Sequence, residues 1–337
     1  MVNWWFVLAT AFVSCWLTGL VRRYALANSV LDVPNGRSSH SVPTPRGGGV
    51  AIVLSTVVVL FAGVLAEATP LSLALAVGAS GGGVAILGFM DDHQHVAARW
   101  RLVAHFLAAA SGLMFCGGLA PLRFGPFVIE YNFVLAVLGV LYLVWMLNLY
   151  NFMDGIDGIA AVEASTACLG MVLLYWVSDN PEMILAPLVV AGAALGFLVW
   201  NFPHAKIFMG DAGSGFLGLV LGLLSVHASW VHPSYFWAWC ILLGVFVVDA
   251  TFTLLRRILG GAKVYEAHRS HAYQHAARAA GSHLPVTFAV WLINVCWLLP
   301  IAAAVVTLGL DGFVGVLIAY VPLLIIAICY KAGADEG

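Results

Sequence analysis

Long apolar runs alternate with short polar gaps along the whole chain. A helix needs about 20 mainly apolar residues to cross roughly 30 Å of hydrocarbon, and eleven runs fit that length, near 3–21, 49–66, 71–90, 101–120, 132–149, 158–177, 183–200, 212–229, 236–255, 286–308 and 312–330. The pattern predicts an all-α, polytopic integral membrane protein with about eleven transmembrane helices. Residues 1–337 are expected to form a single transmembrane domain, since no gap is long enough for a soluble one.

Composition and charge agree with this architecture and orient it. The chain is 62% hydrophobic and 9% charged, against about 25% charged in a typical soluble domain. Every Lys and Arg except Arg123 falls in alternate gaps. Basic residues are retained on the cytoplasmic side, so we predict a periplasmic N-terminus and a cytoplasmic C-terminus. The first run, which has no basic region before it, is expected to stay uncleaved.

Two further compositional features exclude other classes of protein. The six cysteines all lie in apolar runs without CxxC spacing, so we expect neither a disulfide framework nor a thiolate metal site. The basic gaps are explained by membrane topology, so we expect no nucleic-acid partner.

Acids and amides cluster in the gap between the fifth and sixth runs, NLYNFMDGIDG, from Asn148 to Gly158. Asp154 and Asp157 are three residues apart, so in the first turn of a helix they would share one face. A lone Asp here would be interpreted as a helix cap. Two carboxylates with two amides and two glycines indicate a functional site instead.

A second acidic pair, Asp91 and Asp92, directly follows the third run. The negative end of a helix dipole disfavours adjacent acids there, so a bound cation or the nearby Arg99 and Arg101 would have to compensate. A solvated loop is the alternative for one of the two. We expect at least one of them to be functional.

Asp211 begins the eighth run within the glycine-rich sequence FMGDAGSG. Carboxylate oxygens suit Mg²⁺, which usually keeps several waters and is completed by substrate phosphates. The glycines would let a phosphate approach backbone N–H groups. Helix capping is the alternative role for Asp211, and both roles are compatible.

Three histidines and an arginine follow one another in the last long gap, at His268, Arg269, His271 and His275. Zinc is weakly indicated, because the histidines are not in an HExxH arrangement and no cysteine accompanies them. Arginine and histidine donors suit a diphosphate better. A solvated histidine-rich loop is the alternative.

Two other polar positions stand out. Arg46 precedes three glycines in the gap after the first run, which could form an anion-binding nest, although positive-inside charge with turn residues would give much the same sequence. Asp249 lies inside the ninth run, where an ionised acid costs about 2.5 to 3.5 kcal/mol. It is expected to face the protein interior, paired with Arg256 or Arg257.

Together these motifs resemble the bacterial polyprenyl-phosphate N-acetylhexosamine-1-phosphate transferases of the glycosyltransferase family 4 type, which include phospho-MurNAc-pentapeptide transferase. The similarity covers essentially the whole chain and rests on four motifs in order: the acidic pair Asp91-Asp92, NFMDGIDG, FMGDAGS and the histidine-rich gap. The HRSHAYQ form of the last motif is similar to the O-antigen and surface-polysaccharide subgroup, and departs from the triple-histidine form of the peptidoglycan enzyme.

The resemblance implies an eleven-helix enzyme of the bacterial inner membrane with its active site on the cytoplasmic face. Its activity would be the transfer of an N-acetylhexosamine or 6-deoxy-N-acetylhexosamine 1-phosphate from a UDP-sugar to undecaprenyl phosphate, with release of UMP. This would be the first membrane step of O-antigen or surface-polysaccharide synthesis. Mg²⁺ is the implied cofactor, with Mn²⁺ as an alternative, and a homodimer is left open. The alternative functions are a phospho-MurNAc-pentapeptide-type transferase and a secondary transporter.

The resemblance also implies roles for individual residues. The implied metal ligands are Asp211 and Asp91. The implied catalytic residues are Asp91, Asp92, Asp154, Asp157, His268 and His271. The implied substrate-binding residues are Asn151, Asn201, Phe208, Arg46, Arg101 and Arg269, with Phe208 placed to stack on uracil.

The chemistry of such a reaction asks little of a general base. A phosphate monoester has a second pKa of about 6, so the acceptor is mostly dianionic at neutral pH, and the site must mainly neutralise and align two phosphates. We expect direct attack on the β-phosphorus, with a covalent phosphate on Asp91 or Asp92 as the alternative. The motif of a CDP-alcohol phosphotransferase fails at Val162, and that of an intramembrane aspartyl protease fails at Phe208.

Overall fold

The computed structural model describes residues 5–34, 42–94, 96–261 and 268–334, and most of these residues are helical. The sequence positions Arg37, His40, Lys263 and Glu266 lie outside these ranges. The helices are α1 Trp5–Ala27, α2 Gly49–Leu65, α3 Leu71–His93, α4 Ala98–Phe115, α5 Asn132–Met153, α6 Ile159–Val177, α7 Pro181–Asn201, α8 Asp211–Ser229, α9 Pro233–Leu242, α10 Gly244–Leu259, α11 Ala272–Ala280, α12 Leu284–Thr307 and α13 Gly312–Cys329.

Three of these helices contain a turn of another kind. A π-helical turn, Ala76–Gly81, lies within α3, and a second, Asn294–Leu298, lies within α12. The helix α7 begins with the 3₁₀ turn Pro181–Met183. A π turn widens a helix locally and frees backbone groups, and such turns often accompany functional sites.

Eight helices in the described part of the chain are long and apolar enough to cross a membrane: α1, α3, α5, α6, α7, α8, α12 and α13. The helices α9 and α10 meet the same criterion together, but they are bent by 69° at their junction and would form one broken span. Each of the eleven predicted runs is helical over most of its length. The eight long helices and the broken span correspond to nine of these runs, and α2 and α4 correspond to the other two. The chain is therefore a multi-pass membrane protein, while the count of eleven and the orientation of the termini stay predictions.

Short β-ladders occur in two connections that the sequence presented as turns or polar gaps. Strands β1 Leu31–Asp32 and β2 Thr44–Pro45 pair antiparallel after α1. Strands β3 Leu122–Phe124 and β4 Phe127–Ile129 form a hairpin between α4 and α5. The β1–β2 ladder matters for the site, because it ends one residue before Arg46.

The helix α8 forms the centre of the bundle. Its residues from Ala212 to Val226 are all buried, and it packs against α2, α3, α5 and α9. Glycines make this close packing possible in the absence of a strong hydrophobic drive between helices in lipid. A Cβ at Gly218, for example, would lie 2.4 Å from the carbonyl oxygen of Met146 on α5. The first residue of this enclosed helix is Asp211.

Candidate active site

One ionic cluster contains two arginines and three aspartates, which several segments of the chain contribute. Nε of Arg46 lies 2.8 Å from Oδ1 of Asp92, and Nη2 of Arg46 lies 2.8 Å from Oδ1 of Asp211. Arg101, in the first turn of α4, pairs with Asp91, and its Nη1 lies 3.6 Å from Oδ2 of Asp211. Both arginines therefore meet at Asp211, and three carboxylates share two guanidinium groups.

The acidic pair lies in the last turn of α3, because this helix continues to His93, three residues beyond the run at 71–90 that the sequence predicted. Oδ1 of Asp91 accepts a hydrogen bond of 2.8 Å from the backbone N–H of Val96, and Oδ1 of Asp92 accepts one of 3.2 Å from the N–H of Asp211. Oδ2 of Asp92 is buried and has no hydrogen-bond partner. The arginines offset the unfavourable helix-end position of these acids, as the sequence required.

Gly210 is needed where α8 begins. Its φ is +77°, and a Cβ at this position would lie 2.5 Å from Oδ2 of Asp92. Side chains rarely adopt this backbone conformation, whereas glycine does so at little cost. Gly210 thus lets the Asp211 amide reach Asp92, and Asp211 itself is the first helical residue and pairs with arginines.

The segment that carries Arg46 is fixed against the start of α8 by backbone contacts. The N–H of Phe208 donates to the carbonyl of Pro45 at 2.8 Å, and the N–H of Gly48 donates back to the carbonyl of Phe208 at 2.9 Å. The N–H of Gly49 bonds to the carbonyl of Met209 in the same way. The amides of Gly48 and Gly49 are thus engaged within the protein, so the predicted anion-binding nest is wrong for these two glycines.

Asp154 and Asp157 do not share a helix face, contrary to the sequence prediction. Both precede α6, which begins at Ile159, and Asp154 is instead the C-cap residue of α5. Burial, together with the charges of Asp211 and Asp92, raises the pKa of the Asp154 carboxyl to about 7, although Arg46 opposes this shift. Asp154 therefore belongs electrostatically to the ionic cluster, whereas Asp157 lies elsewhere.

Asp157 lines a cleft of about 600 Å³ that we call the basic cleft. Its side chain accepts a hydrogen bond of 3.1 Å from the N–H of Ala205 at Oδ2, and Nδ1 of His283 lies 3.2 Å from its Oδ1. Other charged, histidine and aromatic residues that line the cleft are His204, Phe208, Arg269 and Arg278. Two arginines against one aspartate make this cleft suited to an anionic ligand.

Two predicted substrate-binding residues differ in their access to the basic cleft. Phe208 lines it, half-buried, as the prediction of a stacking residue requires. Asn201 is buried, and its side chain joins two backbone segments: Oδ1 accepts from the N–H of Gly158 at 2.8 Å, and Nδ2 donates to the carbonyl of Ile207 at 2.9 Å. In this structure Asn201 shapes the cleft through these bonds and does not line it.

A second cleft, of about 520 Å³, is lined in part by Asp211, and we call it the mixed cleft. Polar residues that the sequence singled out line one part of it: Asp91, Arg101, Asn151, Asp211, His268 and His271. Apolar residues of α3, α4, α5 and α10 also line it, among them Leu87, Leu102, Leu147, Ala250 and Leu254. Nδ2 of Asn151 donates to Oγ of Ser214 at 3.0 Å and so is tied to α8.

Sequence reasoning gave no specific role to two polar residues of the mixed cleft, although it counted Asn148 among the amides of its motif. His105 lies one helical turn after Arg101 on α4, and Asn148 lies three residues before Asn151 on α5. Both spacings place the missed residue on the helix face of a predicted one. Helical periodicity applied outward from Arg101 and Asn151 would therefore have found them.

Asp249 holds the histidine-rich segment in place. Its carboxylate accepts hydrogen bonds from the N–H groups of Ala272 and Tyr273 at 2.9 and 3.0 Å, and its Oδ1 lies 3.4 Å from Nδ1 of His271. The predicted pairing with Arg256 or Arg257 is wrong, because the first turn of α11 reaches Asp249 and offers unsatisfied amides. Its location facing the protein interior is confirmed, as it is 6% exposed.

The two histidines of this segment lie side by side in the mixed cleft, with ring centroids 5.0 Å apart. His271 is buried at the start of α11, where it takes part in a capping box with Gln274. Burial lowers the pKa of His268 to about 4, with contributions from His271 and Arg257 that Asp249 opposes. His268 is therefore a neutral imidazole at pH 7. Arg269 lies apart from both histidines, since it lines the basic cleft.

The ionic cluster offers oxygen ligands to a metal ion without forming a complete cage. Across the described ranges, no three His, Cys, Asp or Glu side chains are grouped closely enough to hold an ion by themselves. Mg²⁺ commonly takes one or two carboxylates and completes its shell with waters and phosphates. The buried, unpartnered Oδ2 of Asp92 beside Asp211 is an acceptor that a hard cation would satisfy. The residues present therefore fit Mg²⁺ better than zinc.

The fold and site together define a multi-pass membrane protein with an ionic cluster at its helix ends, a mixed cleft that part of this cluster lines, and a basic cleft lined by Phe208, three residues before Asp211. Residues 73–229 match the family model described as glycosyl transferase family 4. This range includes Asp91, Asp92, Asp154, Asp157 and Asp211, while Arg46 and the histidine-rich segment lie outside it.

Similar proteins carry consistent names. The chain is 32% identical over 285 residues to a probable undecaprenyl-phosphate N-acetylglucosaminyl 1-phosphate transferase of Bacillus subtilis, which covers 82% of this chain and 78% of the relative. It is 28% identical over 318 residues to a decaprenyl-phosphate N-acetylglucosaminephosphotransferase of Mycobacterium leprae, covering 85% and 79%. A phospho-N-acetylmuramoyl-pentapeptide-transferase of Endomicrobium trichonymphae is 34% identical over 122 residues, covering 35% and 32%. The chain belongs to glycosyl transferase family 4, a family of membrane sugar-phosphate transferases.

Proposed function

We propose that this protein transfers an N-acetylhexosamine 1-phosphate from a UDP-sugar to undecaprenyl phosphate, giving undecaprenyl-diphosphate-sugar and UMP. The proposal rests mainly on the position of Asp211. Both arginines of the ionic cluster contact this residue, and it lines the mixed cleft. Phe208, three residues earlier on the same segment, lines the basic cleft. One aqueous and one lipid substrate could therefore meet at this point.

The mixed cleft has the polarity that a polyprenyl phosphate requires. Its charged part includes Arg101 and two histidines, and its apolar part includes Leu102, which is 48% exposed on the side of α4. A phosphate would lie among the cationic and imidazole groups, with its hydrocarbon chain along the apolar wall. The names of the relatives, which specify undecaprenyl and decaprenyl phosphate, support this assignment.

The basic cleft suits the donor nucleotide. Arg269 and Arg278 provide charge for a diphosphate, for which guanidinium forks form strong charge-assisted hydrogen bonds. Phe208 lies in the cleft wall next to the ionic cluster and can stack on a uracil ring. Asp157 offers carboxylate oxygens at the far side, where a base with N–H groups would find acceptors.

Mg²⁺ is the cofactor that we propose, with Asp211 and Asp91 as its ligands and Mn²⁺ as a substitute. When bound, it would offset the charge of the diphosphate and so lower the repulsion between donor and acceptor phosphates. Arg46 and Arg101 occupy these carboxylates in the structure, so both guanidinium groups are placed to transfer their hydrogen bonds to substrate phosphate oxygens. His268, neutral at pH 7, can accept or donate a hydrogen bond in the mixed cleft.

The acceptor phosphate attacks the β-phosphorus directly in this proposal, because a dianionic phosphate is already nucleophilic. The new P–O bond forms as the bond to the α-phosphate bridging oxygen breaks, and UMP leaves with that oxygen. In this route the acids contribute charge and positioning and form no covalent bond to phosphorus. The hydrogen bonds that Asp91 and Asp92 accept from backbone amides agree with this role. A labelled phospho-enzyme trapped in the absence of acceptor would replace this route with the covalent one.

The cellular location and the pathway are proposed from the charge pattern along the chain and from the form of the last motif. The arrangement of Lys and Arg favours a cytoplasmic site in the bacterial inner membrane. The HRSHAYQ form favours O-antigen or surface-polysaccharide synthesis, with a 6-deoxy sugar as a further donor candidate. A pentapeptide-type transferase is less well supported, since that relative covers 35% of the chain against 82% for the N-acetylglucosaminyl one.

The test is transfer by purified protein in detergent. Undecaprenyl phosphate, Mg²⁺ and one of a panel of UDP-sugars are supplied, and UMP and lipid-linked sugar are measured. We expect both products in equal amounts, none without lipid acceptor, and none after chelation of the metal until Mg²⁺ is restored. UMP release that does not depend on the acceptor lipid would contradict the proposal, and solute uptake by vesicles without UMP release would indicate a transporter.

A further inference from the structure

Two polar residues of α12 and the residue that caps its start form a line from the basic cleft into the bundle, on the side that meets α6 and the loop before it. His283, Thr287 and Asn294 are spaced by four and seven residues, which places them on the same side of a helix. Val290, between the last two, is also buried, at 5% exposure. We call the contact of these residues with α6 and with the loop before it the polar seam.

The seam begins at Asp157 in the basic cleft. Nδ1 of His283 lies 3.2 Å from Oδ1 of Asp157, and Oγ1 of Thr287 donates to the backbone carbonyl of Asp157 at 2.8 Å. Thr287 is 1% exposed, so this second contact is closed to water. Both the side chain and the backbone of Asp157 are therefore fixed by the start of α12.

The seam ends at a buried acid within the membrane-spanning part of α6. Nδ2 of Asn294 donates to Oε2 of Glu163 and to Oγ1 of Thr166, at 2.7 Å in each case. Glu163 is 0% exposed and Asn294 is 2% exposed. At 1.5 Å per residue, Asn294 lies about 10 Å along α12 from Thr287, so the seam extends about two helical turns into the bundle.

The local structure marks this end as specialised. Asn294 is the first residue of the π turn in α12, and a π turn offsets the faces of a helix that precede and follow it. Oε1 of Glu163 and Oδ1 of Asn294 are buried acceptors without a hydrogen-bond partner. An unpaired buried polar atom costs about 1 to 3 kcal/mol of stability. Apolar residues could join the two helices without this cost, so the polar pair indicates a role other than stability.

The protonation state of Glu163 follows from its partners. The side chain to which it is bonded, Asn294, is a neutral amide. An ionised acid at the centre of a membrane helix costs about 2.5 to 3.5 kcal/mol and is normally paired with a cation or exposed to a water-filled cavity. A neutral carboxylic acid avoids that cost, and protonation at Oε1 turns one of the two unpaired acceptors into a donor.

We propose that Glu163, as a neutral carboxylic acid, and Asn294 are positioning residues that set the depth and rotation of α12 against α6. They thereby hold His283 and Thr287 on Asp157, so the shape of the basic cleft is determined from within the membrane. The effect on nucleotide binding rests on the proposed function of that cleft. The contact between His283 and Asp157 is independent of that proposed function.

Four variants test this role. Glu163→Gln keeps the shape and neutrality of the side chain, while Glu163→Leu and Asn294→Leu remove its hydrogen bonds. Thr56→Val is the matched control, because Thr56 Oγ1 on α2 is also buried without a partner but lies outside the seam. The measurements are KM for the UDP-sugar, KM for the acceptor, kcat per folded molecule, and UMP affinity by calorimetry.

The two Leu variants should raise KM for the UDP-sugar and weaken UMP binding about tenfold, while kcat and KM for the acceptor change by less than about threefold. Glu163→Gln and Thr56→Val should stay within about twofold of the original protein. If Glu163→Gln is as damaging as Glu163→Leu, the carboxyl is needed in its charged form and our proposal is wrong. If the Leu variants lower only the yield of folded protein, the seam contributes to stability alone.

A readout without substrate separates this proposal from the proposed function. In protein labelled with ¹⁵N-histidine, the His283 signal is assigned by its loss in His283→Gln. It should shift in both Leu variants and stay in place in Glu163→Gln and Thr56→Val. If the shifts appear but no UDP-sugar is turned over by the original protein, the seam stands and the proposed function falls. An unmoved His283 signal in both Leu variants would overturn the seam itself.

Discussion

Nη2 of Arg46 lies 2.8 Å from Oδ1 of Asp211, although 165 positions of sequence separate the two residues. The same guanidinium group bonds to Asp92 through its Nε. One side chain from the segment before α2 thus joins the last turn of α3 to the first residue of α8. The ionic cluster depends on this bridge, and four predictions follow from it and from its neighbours.

Replacing Asp211 should abolish the transfer reaction without unfolding the protein. Asp211→Asn keeps the volume of the side chain but removes the charge that both arginines and the proposed metal require. We expect kcat to fall about a thousandfold or more, as for loss of a principal electrostatic group. Turnover and thermal unfolding are measured together, with Asp179→Asn, at an exposed turn after α6, as the control. Retained activity in Asp211→Asn would remove this residue from the metal site.

Lysine should not replace Arg46. A guanidinium fork can bond to Asp92 and Asp211 at once, whereas an ammonium is a single point charge on a flexible stem. We expect Arg46→Lys to lower kcat/KM by about tenfold or more, equivalent to about 1.4 kcal/mol. Arg123→Lys in the β3–β4 hairpin, the basic residue outside the common charge pattern, is the control. Full activity in Arg46→Lys would show that charge alone is sufficient.

Gly210→Ala should destabilise the protein more than the same change at another glycine with positive φ. Both Gly210 and Gly309 have positive φ, of 77° and 74°. A Cβ at Gly210 meets Oδ2 of Asp92 at 2.5 Å, while a Cβ at Gly309 meets nothing within 4 Å. Gly210 combines φ +77° with ψ 171°, a backbone region that is essentially restricted to glycine, so strain and the clash with Asp92 should together lower the midpoint of thermal unfolding below that of Gly309→Ala. Equal midpoints would contradict the contact.

Asp154 should make the metal-free protein less stable as the pH rises. Its pKa is raised from 3.8 to about 7 in the folded protein, so between these values the folded state holds a proton that the unfolded chain has released. Stability that is present at low pH is therefore lost as the pH rises through about 7. Thermal unfolding in chelator from pH 5 to pH 8 should show a steeper decline for the original protein than for Asp154→Asn. Parallel curves would place the titrating group elsewhere.

The helices were predictable from sequence because the bilayer imposes a strong and regular constraint. Each span must be apolar over its length, and each loop collects the residues that cannot enter lipid. The same constraint identified Asp211 and the acidic pair as site residues, since few polar positions were available. It also explains why α4, which carries Arg99 and Arg101 in its first turn, was recognised as a run yet falls outside the eight clear spans.

Pairing between distant segments was not predictable in the same way. The sequence placed Asp154 and Asp157 together, but Asp154 caps the end of α5 whereas Asp157 lies in the loop before α6, so their surroundings differ. It paired Asp249 with an arginine on its own helix, whereas the first turn of α11 offered better donors. In both cases the decisive partner comes from an element more than twenty residues away, whose location depends on how the whole bundle packs.

The enclosure of α8 determines which parts of the site can move. Because the bundle surrounds this helix from Ala212 onward, Asp211 is anchored in position, and no rearrangement of its own helix can bring it toward a ligand. The arginines reach it from separate segments through flexible side chains. The groups that change position during a reaction cycle are therefore expected to be the arginine side chains and the ligands, while the Asp211 carboxylate stays in place.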